Sequence, residues 1–473
     1  MNDMNRNFRQ NSMAAPALLV AIFLGSCLPE LLPGQNATPF ADSTTPLPSG
    51  YAGPKFHLSY QYPASAPADQ IRPWTKTLHG QELTKSTAGA YVAELMRYVR
   101  DDLAHLVDEY GTWDAAAAGW YNEPWIASLR EPVHGMYVAT TTDASLFKDP
   151  TLKAKVVNNF VVVYYDKVAA VVHHNVWGKD GLNPRLETAA TQFPEGAVII
   201  KVAVTQLLGG DWPVMQGAPA WKIYAKRRSN DTGKPSETPE LFDVALMQVD
   251  IVVKDSSAAP ETGWVFSTFV YDNRLTGSAS DRLAALGAMW GNDPNINSTE
   301  HPELPAQETW INPSAPAYSV ATLGWGGRLS GPNDQAVLAP GEYIDPATHQ
   351  PGTISVANSS CLSCHGPAEW KMKSFLLPGA IQNDQYVMAV PGSADWMRWF
   401  QNRPGTIPQD SGTVALDYDM VFAFKALPHW ASATGNKLEN IQMFARPSDL
   451  KRDGPLQIEQ RNYNGLPLKG AAR

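Results

Sequence analysis

The sequence predicts a multidomain chain: a β-rich N-terminal region, an antiparallel sandwich or barrel, followed by a smaller second unit. Three observations carry this reading. The chain has 473 residues, too many for one ordinary domain. Four segments, 160–166, 196–206, 245–254 and 263–271, are rich in Val, Ile, Tyr and Phe and bounded by Gly, Pro, Asn and Asp, the composition of strands. A compact Cys/His motif at 361–365 lies beyond the last of these segments, in a part of the chain that needs its own account.

Composition bounds the function. At 44% hydrophobic and 18% charged the chain can build a packed core and is not broadly disordered. A net charge of −9 argues against a nucleic-acid partner, which needs a basic face. Fifteen Trp and 38 Pro, with scarce charge, suit a loop-rich, strand-rich exported protein.

The N-terminus reads as an export signal over residues 1–26. Arg6 and Arg9 precede an apolar run over 13–26, the size of a signal-peptide core and too short to span a bilayer. Leu24-Gly25-Ser26-Cys27 resembles the lipobox of bacterial lipoproteins, which implies lipidation of Cys27 and a membrane anchor. Residues 27–50, rich in Pro, Ser, Thr and Asn, then form a flexible tether.

Within the β-rich region, 51–310, one helix is expected over 87–107. Val92, Leu95, Val99, Leu103 and Leu106 recur at three- and four-residue steps, with Ser86 or Thr87 as N-cap. Two expected strands carry polar residues inside apolar runs. Lys201 interrupts 198–204, and Asp250 alternates with Val249 and Ile251. If they face one cavity they form a buried pair and a candidate catalytic site; a solvated sheet face is the plainer reading. His134, beside Arg130 and Glu131, is a further candidate catalytic residue, or a core histidine. His173 and His174 are expected on a strand, facing opposite sides and unable to share a metal.

Cysteine usage is the sharpest signal. Of three cysteines, Cys27 sits in the lipobox and two sit in Cys361-Leu362-Ser363-Cys364-His365. Two thiols three positions apart reach both vinyl groups of one haem, and the His that follows turns its imidazole to the iron. From 3 Cys and 10 His in 473 residues, on the order of 4 × 10⁻⁴ such motifs are expected by chance. A zinc site needs two more good ligands.

On this motif, residues 340–450 resemble a monohaem cytochrome c domain. The resemblance covers about a quarter of the chain and implies a small all-α haem domain over 311–455, with 456–473 as a tail. It implies one covalent haem c on Cys361 and Cys364, with His365 as axial iron ligand. It also implies a downstream Met as sixth ligand. Met372, Met388, Met397, Met420 and Met443 are available; Met388 and Met397 rank above Met420, which falls in an expected closing helix over 416–424. His429 would give bis-histidine ligation. Trp370, Trp396, Trp399, Phe400, Phe422, Phe424 and Trp430 are candidates for a haem wall, and Arg328 for a propionate partner. The implied function is electron transfer with a redox partner protein, from a periplasmic or outer-membrane-anchored lipoprotein. The alternative is a haem-dependent oxidoreductase or gas sensor with an open sixth position.

Overall fold

The computed structural model describes residues 38–435, apart from 54, 71, 104–114, 116–117, 335–337, 345–350 and 383–384. The expected signal segment, Cys27, Met443 and the expected tail lie outside the described residues. Eight strands form one antiparallel sheet: β1 (Tyr137–Asp143), β2 (Val156–Tyr165), β3 (Val198–Thr205), β4 (Ala220–Ala225), β5 (Glu240–Lys254), β6 (Trp264–Tyr271), β7 (Leu283–Met289) and β8 (Thr309–Ile311). The order is β1-β2-β3-β5-β6-β7-β8, with β4 pairing the first part of the long β5. The four segments expected as strands coincide, to within two residues at the ends that overrun, with parts of β2, β3, β5 and β6.

Strand alternation sends side chains to two faces. Val198, Ile200, Val202 and Val204 of β3 join one core with Val249, Ile251 and Val253 of β5. That face is covered by helix α1 (Lys85–Leu103), which buries Val92, Leu95, Val99 and Leu103. The helix begins two residues before the expected start, and its end at Leu103 is where the described segment stops. The other face carries Ala203, Met247, Trp264, Phe266 and Val270.

The expected fold class does not hold. The protein is mostly β around one open sheet, rather than a sandwich or barrel joined to an all-α haem domain. Among the described residues of 311–435 the longest α-helix is Leu427–Thr434. After the motif the chain makes a ribbon of Glu369–Trp370 with Val414–Ala415, a hairpin of Gly379–Gln382 with Gln385–Met388, and the short helix Ala394–Met397. Pro367, Pro378, Pro391, Pro404 and Pro408, with Gly379, Gly392, Gly405 and Gly412, recur too often for longer helices to propagate.

The expected closing helix over 416–424 is also replaced. Asp417 and Tyr418 take left-handed φ values of 47° and 68°. Helical backbone starts after them, with a wide turn at Phe422–Ala426 leading into Leu427–Thr434. Much of this part of the chain shares the core of the sheet, and a smaller cluster around Trp325, Trp396, Trp399 and Phe400 packs apart from it. Cys361, Leu362, Leu416, Phe422 and Leu427 pack in one apolar cluster with Val161, Phe266 and Leu286. The C-terminal segment is therefore the layer that covers the second face of the sheet.

Candidate functional site

The Cys/His motif forms a single helical turn, Cys361–His365. Its N-terminus is fixed by a reciprocal cap: the Ser363 amide donates to Ser360 Oγ at 3.2 Å, and the Ser360 amide to Ser363 Oγ at 2.7 Å. The Cys361 amide donates to the Leu329 carbonyl at 2.9 Å, and the Trp325 amide to the Ser359 carbonyl at 3.0 Å. The second contact requires glycine at 324, where a Cβ would stand 2.2 Å from the Ser359 oxygen. The Gly-rich stretch 324–331 is thus the cradle of the turn.

The two thiols point into different surroundings. Cys361 is buried in the sheet-side core. Cys364 packs against the aromatic cluster of Trp325, Trp396, Trp399 and Phe400, where Met397 and Met420 also lie. Burial, aided by the charge of Asp334, pushes the Cys364 thiol up to about 12 and the Cys361 thiol well above its usual range.

His365 is oriented from two sides. Its ring meets Phe266 of β6 edge-on at 4.8 Å. Its Nδ1 lies 2.7 Å from the Tyr418 carbonyl oxygen, which only an Nδ1–H can satisfy. That contact assigns the proton to Nδ1 and leaves the lone pair on Nε2, the tautomer a metal-ligating histidine needs. Burial keeps the ring neutral, with its pKa down to about 4. The donor set of two thiols one helical turn apart and a neutral imidazole fits a covalent haem.

Lys201 and Asp250 do meet. They oppose each other in the β3–β5 register, on the same face of the sheet as Phe266, and Lys201 Nζ lies 2.6 Å from Asp250 Oδ2. Sequence reasoning missed the third member, Asp334, which also pairs with Lys201. Gln248 Nε2 donates to Asp250 Oδ1 and Oδ2 and, at 2.7 Å, to Asp334 Oδ2; Thr268 Oγ1 donates to Asp250 Oδ1 at 2.7 Å. The Asn333 amide donates to Gln248 Oε1 at 2.9 Å. Gly331 lets this loop close, since a Cβ there would stand 2.6 Å from Gln248 Oε1. Burial pulls Lys201 down, but the charges of Asp250 and Asp334 outweigh it and hold the ammonium well above its usual range. Burial and the Asp334 charge push Asp250 up to about 6 against the pull of Lys201. Burial also pushes Asp334 up, but Lys201 wins and its carboxyl stays below the ordinary value.

The remaining candidates are dispersed. His134 lies on the opposite face, stacked on Trp221 at 5.7 Å and tilted against Phe56 at 5.6 Å, where burial lowers it to about 3. It is a core residue, apart from the motif. His173 and His174 lie on a helix, Ala170–Trp177, not on a strand. The Ala169 amide donates to Asp166 Oδ1 at 2.7 Å just before this helix, a capping signal that the apolar run concealed. His173 Nδ1 is 3.3 Å from Glu123 Oε2, yet burial neutralises both: Glu123 is raised far above its usual range and His173 lowered to about 3. This is a neutral pair and not an ion pair.

Met388 ends a β-hairpin strand, and its side chain lies outside what the structure describes. His429 Nδ1 lies 2.8 Å from the Lys425 carbonyl, one helical turn back, and its buried Nε2 has no hydrogen-bond partner among the described residues. Arg328 is fully buried. Its guanidinium donates to the carbonyls of Asn292, Asp293, Ile296 and Trp325 and to Ser298 Oγ at 2.9–3.1 Å. All of its donors are used within the protein, so it is a structural pillar and no propionate partner.

Among the described residues no helix is long and apolar enough to cross a membrane. No family model, no curated protein and no solved structure matches the chain.

Proposed function

We propose that the chain is an exported monohaem c-type cytochrome that transfers single electrons. Haem would be held by thioethers to Cys361 and Cys364, with His365 Nε2 on the iron. The cofactor, when bound, supplies a one-electron Fe(III)/Fe(II) couple. The observation that carries the proposal is the capped thiol turn with its imidazole held in the ligating tautomer by the Tyr418 carbonyl.

The chain's own residues do the rest. Phe266 and the Tyr418 carbonyl fix the ring plane of His365. The aromatic cluster beside Cys364 keeps water from the site and brings two thioethers near it. Of the two Met residues ranked first by sequence, we favour Met397 as sixth ligand because it shares that cluster with Cys364. Electron transfer is favoured over a substrate-binding enzyme because Lys201, Asp250 and Asp334 are engaged with one another and with Gln248 and Thr268. The export signal and Cys27 would place the protein in the periplasm, anchored to the membrane, where it would meet a redox partner protein.

The test is the absorption spectrum of the purified protein, oxidised and reduced, with and without carbon monoxide. A low-spin spectrum indifferent to carbon monoxide supports a carrier with a filled sixth position. A clear shift with carbon monoxide overturns the carrier reading in favour of an open-site enzyme or sensor.

A further inference from the structure

We propose that the Lys201–Asp250–Asp334 cluster sets the redox equilibrium of the motif, by fixing one excess negative charge in the protein interior beside it. The inference rests on the haem reading above and names how that site is tuned.

Three features of the cluster support it. The first is its charge balance: two carboxylates share one ammonium, and their other contacts, Gln248, Thr268 and the Asn333 side chain, are neutral donors. From the layer packed above, His365, Cys361 and Cys364 face the cluster, and in the haem reading they are a neutral imidazole and two thioethers. No second cation bonds either carboxylate among the described residues.

The second feature is proximity through two short routes. The loop that carries Asn333 and Asp334 begins at Leu329, whose carbonyl receives the Cys361 amide at 2.9 Å. Phe266, whose ring touches His365, is two residues from Thr268 on the same face of β6. Both signs of the cluster's charge reach the motif: Asp334 acts more strongly than Lys201 on the two thiols, and Lys201 more strongly than Asp334 on the His365 ring.

The third feature is rigidity. Lys201, Gln248, Asp250 and Thr268 stand on three paired strands, and their polar atoms are satisfied within the cluster. Such carboxylates are not presented to a substrate. They act as fixed charges, and in a largely buried setting a fixed charge is screened little by water or salt. A fixed anion favours the more positive member of a redox couple, so it stabilises the oxidised iron and lowers the potential.

The test is a spectroelectrochemical titration of the wild type, Asp334→Asn, Asp250→Asn and the surface control Asp243→Asn, at two salt concentrations. Asp243 pairs with Lys222 on the exposed β4–β5 ribbon and carries the same chemistry without the burial. The expected result is a shift of about tenfold towards the reduced form for D334N and D250N, about 59 mV for one electron. D243N should not shift, and salt should leave the buried variants unchanged. Thermal melts show which buried variant is folded, and either one suffices. Potentials within twofold of wild type, or a shift in the opposite direction, overturn the inference alone. A wild type that carries no haem on staining overturns the haem reading and the inference with it.

Discussion

His365 and Tyr418 are 53 residues apart, and the Nδ1 of one lies 2.7 Å from the carbonyl oxygen of the other. The contact exists because Asp417 and Tyr418 adopt left-handed backbone that turns the carbonyl back towards the motif. Asp tolerates that conformation better than most residues, but Tyr418 has no special fitness for it and must be held there. Asp417 is the anchor: its Oδ1 accepts from Lys254 Nζ at 2.6 Å and Trp264 Nε1 at 2.8 Å, and its Oδ2 from the Phe193 amide at 2.9 Å.

Asp417→Ala should therefore cost about 3–5 kcal/mol, since it strands the Lys254 ammonium and the indole N–H in the interior. Asp417→Asn should cost less, because the amide oxygen still accepts. Urea unfolding of the two variants checks this. A loss below about 1 kcal/mol for the alanine variant would mean that the turn is held by something else.

Arg328 should behave as a structural residue. Arg328→Ala leaves four carbonyls without their donor and removes a guanidinium stacked 4.6 Å from the Trp325 ring centroid. The expected loss is about 3–5 kcal/mol. Arg328→Lys should recover little, since one ammonium cannot replace a planar fork. The measurement is again chemical denaturation; lysine rescue to within about 1 kcal/mol of wild type would contradict the account.

The buried His173 makes the stability of the protein depend on pH in a direction that can be worked out. Unfolded, it binds a proton near 6.5; folded, burial holds it neutral down to about 3. Between these values the unfolded state binds more protons, so the histidine's contribution is full above 6.5 and is lost as pH falls. Glu123, Tyr62 and Tyr165 face the ring. Of these, Glu123 is held protonated by burial over the same range and does not reverse the sign. His173→Phe should therefore gain on wild type by up to about 1.4 kcal/mol per pH unit below 6.5. Parallel denaturation curves from pH 7 to 4 test it, and a pH-independent difference would show that His173 takes up its proton as readily in the fold as in the unfolded chain.

Met397→Ala should open the sixth position. The variant's reduced spectrum should then shift with carbon monoxide while the wild type's does not. If Met420→Ala responds and Met397→Ala does not, the thioether has been assigned to the wrong residue of the Cys364 cluster.

The legible part of the fold was the part governed by local pattern. Strands β2, β3, β5 and β6 announce themselves by dense β-branched and aromatic runs, and the α1 stripe by its three- and four-residue steps. Lys201 and Asp250 stood out because each breaks an apolar strand. Their meeting depends on the β3–β5 register, which no single strand encodes. Asp334 was invisible, because it enters from a loop that carries no periodic signal and earns its place only through the Gly331 turn. The His173 helix was hidden because Val and Ala packed on all sides imitate a buried strand. The C-terminal layer departs from expectation for a different reason. The five-residue motif carries a strong chemical meaning, but it encodes one helical turn and not the architecture around it. The prolines and glycines after it argued for short ribbons, and they prevailed.

The most direct test of the central claim is a haem stain on a denaturing gel, comparing wild type with Cys361→Ala/Cys364→Ala after expression in a host that attaches c-type haem. The account predicts stoichiometric staining of the wild type that survives denaturation, and none of the double variant. An unstained wild type, or equal staining of the two, would contradict it.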